Sequence, residues 1–130
     1  MEEQYKGRLT AAGRMLTQQH TRENHIIHDI AHYLERHYAE DISLQDMATR
    51  FFFSREYISR RFKQEFSVNI SDFLARIRIE KAKLLLLNPQ LRISQIAEMV
   101  GYPDEKYFSK VFKKQEGRTP NEYRKEKTMS

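Results

Sequence analysis

The same short pattern occurs twice in this chain, and this repeat constrains the possible folds more than any other feature. Tyr57-Ile58-Ser59-Arg60 lines up with Tyr107-Phe108-Ser109-Lys110, and Phe62-Lys63 lines up in the same register with Phe112-Lys113. A residue type that caps helices precedes each copy, Ser54 in the first and Asp104 in the second. A repeat of this kind indicates that one small structural unit is used twice.

Each copy of the repeat has the pattern of a short helix, a turn and a second helix. Upstream of the aligned segments, Met47-Ala48 matches Ile96-Ala97 after a gap of one residue. The chain holds only four Gly and three Pro, and it has no alternation of apolar and polar residues long enough for a sheet. The sequence therefore predicts an all-α fold of seven helices that contains two helix-turn-helix subdomains.

Apolar and polar residues mark where the remaining helices begin. Apolar residues at spacings of three and four predict a first helix over residues 25–39. Ser43 and Asp46 predict a capping box at the start of the second helix. Ser94 is the predicted cap of the fifth helix, and Pro120 is the predicted first residue of the seventh.

A long connector helix is predicted between the two copies, over residues 71–88. Asn88 in a left-handed cap, followed by proline, is expected to end it. Core packing is expected for Leu84 to Leu87, and also for Phe51 to Phe53 with one ring partly exposed. Such a helix spans about 27 Å and would hold the two units at a fixed orientation, whereas a Gly/Ser linker would leave them nearly independent.

The overall composition favours a polyanionic partner and excludes several classes of site. Lys and Arg total 23 against 18 Asp and Glu, and there is no cysteine for disulfides, thiolate metal sites or a thiol nucleophile. No apolar run approaches the roughly 18 residues of a membrane span, and no signal peptide opens the chain. We expect a cytoplasmic protein without membrane contact. No catalytic motif is present, so neither an enzyme nor a cofactor is expected.

A long segment of the second copy closely resembles the signature of the AraC/XylS family of bacterial transcription regulators. It runs from Gly101-Tyr102-Pro103-Asp104 through Lys113-Lys114 and continues over Gly117-Arg118-Thr119-Pro120-Asn121-Glu122-Tyr123-Arg124. Arg78-Ile79, Ala82 and Leu85-Leu86 resemble the family's connector helix. The sequence from Ser54 to Arg60 looks most like that of family members fused to response-regulator receiver domains. The resemblance covers residues 25–126 and implies sequence-specific binding of double-stranded DNA, with two recognition helices in successive major grooves.

The resemblance also implies which side chains face the DNA. The base-facing positions fall on Glu56, Ser59, Arg60, Glu105, Lys106, Ser109 and Lys110. An arginine can bind guanine through two hydrogen bonds, and a glutamate either accepts from cytosine or repels misplaced phosphates. The residues expected to neutralise phosphates are Arg55, Arg61, Lys63, Lys113 and Lys114.

One position departs from the family pattern. The family usually has glycine after the first recognition helix, where this chain has Phe66-Ser67. A serine there either adopts a positive φ at some cost or forces a different turn.

The predicted organisation comprises an N-terminal arm or linker, the DNA-binding domain and a short tail. The ranges are 1–24 for the arm, 25–126 for the domain and 127–130 for the tail, with the helix-turn-helix units at about 43–67 and 94–117. We expect promoter sites to be occupied and RNA polymerase to be recruited or blocked. A fused or missing sensor or receiver domain, and dimerisation through it, are open alternatives.

Four other interpretations remain. A helical module with a protein partner would show binding that is insensitive to salt, and RNA binding would need exposed aromatic side chains. His25, His28 and His32 share one helix face, but without cysteine or matching carboxylates a metal site is disfavoured. Tyr107 and Phe108 could stack on bases, although their apolar spacing favours the core.

Overall fold

The computed structural model describes residues 25–129, which are helical apart from short turns. The helices are α1 over residues 25–36, α2 Leu44–Phe51, α3 Arg55–Phe66, α4 Ile70–Leu85, α5 Ile93–Met99, α6 Glu105–Glu116 and α7 Pro120–Met129. The predicted arm over residues 1–24 and the last residue of the predicted tail lie outside the described residues. Within them the all-α fold with seven helices is confirmed. In this part of the chain, no helix combines the length and the apolar character needed to cross a bilayer.

Two separate hydrophobic cores lie on either side of α4, and this helix contributes to both. The first core is built from Ile27, Ile30, Ala31, Leu34, Met47, Ala48, Ile58, Phe62, Ile70 and Leu74. The second is built from Ile79, Ala82, Leu86, Ile96, Ala97, Val100, Tyr102, Phe108, Phe112 and Tyr123. Because the first half of α4 packs in one core and the second half in the other, α4 is a structural part of both units and not a tether.

Most predicted helix starts are confirmed by their capping hydrogen bonds. Ser43 Oγ accepts from the Asp46 amide at 3.1 Å, and the Asp46 carboxylate accepts from the Ser43 amide at 2.9 Å. Ser54 Oγ accepts from an amide in the first turn of α3, also at 3.1 Å. The predicted cap of α5 at Ser94 is wrong, because α5 begins at Ile93 and its N-cap is Arg92.

The connector differs from its prediction at both ends. Its N-cap is Asn69, whose side chain accepts from the Asp72 amide at 2.8 Å, so that Ser71 lies inside the helix and does not open it. Asn88 has no left-handed conformation, because Phe52 and Ser67 are the only residues other than glycine with positive φ in the described part. The helix ends at Leu85, three residues before the predicted end, and the Asn88 side chain instead accepts from the Gln90 amide at 3.0 Å in the turn that follows.

Several apolar residues that were expected in the core are exposed. Leu84 and Leu87 are 66% and 56% exposed, whereas Leu86 is buried in the second core. Leu84 lies beside the buried stripe of α4 and Leu87 lies beyond the end of the helix, so the buried stripe is narrower than the apolar run in the sequence. Among Phe51 to Phe53, where one partly exposed ring was predicted, Phe52 is the exposed one at 91%, since it is the left-handed residue that ends α2 and points away from the core.

Ser67 takes the first of the two alternatives predicted for it. Its φ is 64°, and its amide donates to the Lys63 carbonyl at 2.8 Å. Gly117 ends α6 in the same way, with φ 80° and a 2.8 Å bond to the Lys113 carbonyl. The two recognition helices therefore end in equivalent turns, and the serine adopts a conformation that favours glycine.

Candidate nucleic-acid interface

Helix α3 buries one stripe of side chains and exposes another. Ile58 and Phe62 are fully buried in the first core, and Phe62 contacts Phe66 and Phe73 through ring contacts. Glu56 and Arg60 are exposed, and Ser59 is half-buried. Residues three or four positions apart share one side of a helix, so these three side chains form one polar face.

Helix α6 repeats this arrangement. Phe108 and Phe112 are fully buried in the second core. Glu105, Lys106 and Lys110 are exposed, and Ser109 is half-buried like its counterpart in α3. The two serines therefore lie at the edges of exposed faces and not in the cores.

The predicted base-facing residues of α6 meet in one groove. This groove has a volume of about 550 Å³, and its lining residues include Glu105, Lys106, Ser109, Lys110 and Lys113. The charged residues of the lining are these three lysines against Glu105 and Asp104, so the groove has an excess of one positive charge. Four predicted base-facing residues and one predicted phosphate-binding residue thus share a single concave surface.

The N-terminus of α6 is closed to an external anion by its own cap. The Asp104 carboxylate accepts from the amides of Lys106 and Tyr107, at 2.9 and 3.5 Å. These are the amides that a phosphate would otherwise bind at a helix start. Positive charge in this groove therefore comes from the lysine side chains.

The residues predicted to contact phosphates are placed less uniformly. Arg55, Lys63, Lys113 and Lys114 are exposed. Arg61 is half-buried and donates to Gln64 Oε1 at 2.8 Å, so it is held along the side of α3. Lys114 lines a second cleft of about 920 Å³ between α4 and α6, apart from the groove that holds Lys113.

Tyr107 is a site residue that the sequence interpretation placed wrongly. It was expected in the core with Phe108, but it is 56% exposed and lines both the groove and the cleft. The ring of Tyr102, with its centroid 5.8 Å from that of Tyr107, fills the adjacent core position. In the first unit the equivalent Tyr57 is only half exposed, because its ring stacks on Phe53 at 4.9 Å.

The repeat itself contained the signal for this difference. Phe53 in the first unit corresponds to Pro103 in the second. Proline offers no aromatic ring for the following tyrosine to stack on. Comparing the two copies residue by residue would therefore have predicted the greater exposure of Tyr107.

Two of the histidines of α1 lie next to a carboxylate, each a different one. His28 Nε2 lies 2.8 Å from Glu65 of α3, and His32 Nδ1 lies 3.7 Å from Glu35. Among residues 25–129, no three His, Asp or Glu side chains are close enough together to share a metal ion.

The fold and these polar faces define a DNA-binding domain of the helix-turn-helix class. Residues 47–126 match the family described as a helix-turn-helix domain. The chain is 38% identical over 97 residues to an uncharacterized HTH-type transcriptional regulator, YisR, of Bacillus subtilis, covering 75% of this chain and 34% of that protein. It is 37% identical over 93 residues to the xylose operon regulatory protein of Escherichia coli, covering 72% of this chain and 24% of that protein.

Solved structures show the same relationship. The C-terminal domain of AraT, a response regulator from Geobacillus stearothermophilus, superimposes with a TM-score of 0.74 at 40% identity, covering 77% of this chain and 84% of that one. The chain belongs to the AraC/XylS family of bacterial transcription regulators. Members of this family bind DNA and regulate transcription, and they are not enzymes. The chain spans about a quarter to a third of the length of the two curated relatives above.

Proposed function

We propose that this domain binds a specific double-stranded DNA site by inserting α3 and α6 into two successive major grooves. The observation that carries the proposal is the equivalence of the two helices. Each buries an apolar stripe in its own core and exposes polar side chains at matching positions. A helix held in this way can enter a major groove without exposing its apolar side.

In the first unit, Arg60 is the residue proposed to contribute most to base recognition. It is exposed, and its guanidinium lies 5.4 Å from the centre of the Tyr57 ring. This contact limits the orientations of the arginine and favours a bidentate contact with guanine. Ser59 can donate or accept at a neighbouring base edge, and Glu56 can accept from a cytosine amino group.

In the second unit, we propose that the side chains lining the groove on α6 contact base edges in the next major groove of the DNA. Lys106 and Lys110 can donate to guanine, and Ser109 can donate or accept. Glu105 can accept from a cytosine amino group. The exposed side chain of Tyr107 brings a hydroxyl that can donate or accept at the border between this groove and the cleft beside α4.

The length of α4 is compatible with this binding mode. Its 16 residues span about 24 Å, and recognition helices that read one face of B-DNA lie roughly 34 Å apart. The proposal requires the offsets of α3 and α6 from the two ends of α4 to make up the difference. Where they fall short, the DNA must bend toward the protein.

The proposal includes the setting of the domain in a longer regulator. We propose residues 25–126 as the DNA-binding domain, with residues 1–24 as an arm or linker to a sensor or receiver domain through which dimers form. The similarity to a response regulator's C-terminal domain supports the receiver alternative. By occupying promoter sites in the cytoplasm, the regulator would recruit or block RNA polymerase.

Selection of binding sites from random duplexes tests this function. We expect one enriched sequence with two conserved blocks, one for each recognition helix. Scrambling either block should lower the affinity strongly, and scrambling both should reduce binding to the non-specific level. Failure to enrich any duplex, combined with binding to a protein that is insensitive to salt, would favour the interaction-module alternative.

A further inference from the structure

Arg78 lies in the middle of α4, at the point where the chain passes from the first core to the second. Its Nε donates to the Tyr38 carbonyl at 2.7 Å, and its Nη2 donates to the Glu40 carbonyl at 2.9 Å. Both acceptors belong to the turn that follows α1, which is part of the first unit. One guanidinium thus donates to two carbonyls that lie beyond the end of a helix, where no helical N–H group is available to them.

The same guanidinium also contacts the second unit. Its Cζ lies 4.9 Å from the centre of the Tyr102 ring, and Tyr102 is buried in the second core. Gly101 gives it room, because a Cβ at Gly101 would lie 2.9 Å from Arg78 Cζ. Burial raises the pKa of Tyr102, and the positive charge of Arg78 opposes this rise.

Tyr38 reinforces this junction. Its side chain packs against both hydrophobic cores, and the Lys81 ammonium lies 5.7 Å from the centre of its ring. The carbonyl that Arg78 binds most closely therefore belongs to a residue that contacts both units. The junction consists of one turn from the first unit, the middle of α4 and one turn from the second.

Arg124 is the arginine of the second unit that corresponds to Arg78, but its hydrogen bonds involve the second unit only. It lies in α7, which follows the second recognition helix as α4 follows the first. Its guanidinium donates to the carbonyls of Leu86, Asn88 and Leu91 at 3.0, 3.1 and 2.7 Å. All three acceptors lie in the segment that enters the second unit. Arg78 differs because its contacts reach both units.

We propose that Arg78 is a positioning residue that fixes the angle between the two helix-turn-helix units, and thereby sets the spacing at which they read DNA. The part of this proposal that concerns DNA rests on the proposed function. The part that concerns the angle does not, because every contact involved is present without DNA. The two parts can therefore be tested separately.

The first experiment measures the angle in the free protein. The chain contains no cysteine, so spin labels at Gln45→Cys in α2 and Gln115→Cys in α6 report one distance between the units. We expect a narrow distance distribution in the parent chain and a broader or shifted one with Arg78→Lys, which keeps the charge but loses the forked donor geometry. Arg124→Lys is the matched control and should leave the distribution unchanged.

Gly101→Ala perturbs the same junction from the other side, because the new Cβ would displace the guanidinium and a φ of 102° is strained for alanine, and it should also change the distance. It keeps the proposal testable if Arg78→Lys does not fold, as judged by circular dichroism. An unchanged distribution in both folded Arg78→Lys and folded Gly101→Ala would overturn the proposal. So would an equal change with Arg124→Lys.

The second experiment uses the selected duplex and variants with one base pair added or removed between its two blocks. The parent chain should discriminate against the altered spacings, and Arg78→Lys should lose that discrimination by roughly tenfold, because looser coupling lowers the effective concentration of the second unit. Binding to a duplex with one intact block should be unchanged. If the parent chain itself shows no spacing preference, the proposed function fails. If the parent chain shows the preference and Arg78→Lys retains it undiminished, the role of Arg78 fails.

Discussion

At the scale of single residues, Arg60 provides the sharpest test of base reading. Arg60→Ala removes a side chain that is exposed in the free domain, so its loss should act on binding more than on folding. We expect a loss of about 1 to 3 kcal/mol at the selected site and relaxed preference at the base pair it contacts. Fluorescence anisotropy on duplexes with each base at that position measures both effects.

Lys113→Ala is the matched control for this prediction. A residue that contacts only phosphate should weaken binding to all sequences by a similar factor. Equal losses for Arg60→Ala on cognate and random duplexes would refute its base-reading role.

Ser67 offers a test of backbone strain. Its φ of 64° is a conformation that glycine adopts at little cost and serine does not. We expect Ser67→Gly to raise the free energy of unfolding by about 0.5 to 1 kcal/mol, since part of the relief is offset by the greater entropy of glycine in the unfolded chain. Urea denaturation measures the change. Ser67→Ala keeps the strain and should give no gain.

Exposure was predicted best where it depends on a side chain's own helix. Alternation of buried and exposed positions placed the polar faces of α3 and α6 correctly, because it follows from helix geometry alone. Tyr107 was misplaced because its exposure depends on Tyr102, which comes from a preceding turn. Arg78 was noted only as part of the family's connector, since its acceptors lie about 40 positions away in the chain.

At the scale of the helical elements, α5 lacks a side-chain cap that one substitution could supply. Its N-cap is Arg92, which has no acceptor, while the Gln95 side chain already accepts from the Arg92 amide at 2.8 Å. Arg92→Ser should complete a capping box and stabilise the fold by roughly 0.5 to 1 kcal/mol. Thermal unfolding measures this gain. Ser94→Ala should have a much smaller effect, because Ser94 lies inside the helix.

The start of α7 makes the stability depend on pH. Glu122 accepts from the Thr119 amide at 2.8 Å, and this backbone hydrogen bond holds the pKa of Glu122 below its usual value. A depressed pKa means that the charged form stabilises the folded state above the unfolded pKa, and that this contribution is lost as the pH falls through the folded pKa.

Glu122→Gln should therefore be less stable than the parent chain at neutral pH. The difference should disappear as the pH falls through and just below the ordinary pKa of glutamate. Denaturant unfolding at a series of pH values measures it. A difference that persists undiminished in acid would assign the effect to packing instead of charge.

Element boundaries were harder to predict than the elements themselves. Ser94 is a residue type that often caps helices, but it lies inside α5. The actual N-cap, Arg92, carries no capping side chain that the sequence could have indicated. The run from Leu84 to Leu87 likewise does not show which leucines are buried, because that depends on where α5 and α6 pack against α4. Tertiary contacts decide both questions.

At the scale of the whole molecule, the repeat explains why the fold was predictable. Two copies of one pattern imply two copies of one unit, and a helix between them leaves few possible arrangements. The structure extends this symmetry further than the sequence alignment does. Each unit is closed by an arginine from the helix that follows its recognition helix, Arg78 in the first and Arg124 in the second. This correspondence became visible only when their carbonyl acceptors were known.

The salt dependence of binding tests whether the molecule as a whole acts on nucleic acid. Each phosphate neutralised on B-DNA contributes about −0.9 to the slope of log affinity against log salt concentration, so engagement of all five proposed phosphate residues predicts a slope of about −4.5. Removing Lys113 should make the slope shallower by about one unit. The affinity ratio between the selected and random duplexes should change far less with salt, because base contacts release few counterions. Anisotropy titrations from low to moderate salt measure both quantities. A slope near zero would contradict DNA binding through these faces and would favour a protein partner, since apolar contacts between proteins are little affected by salt over this range.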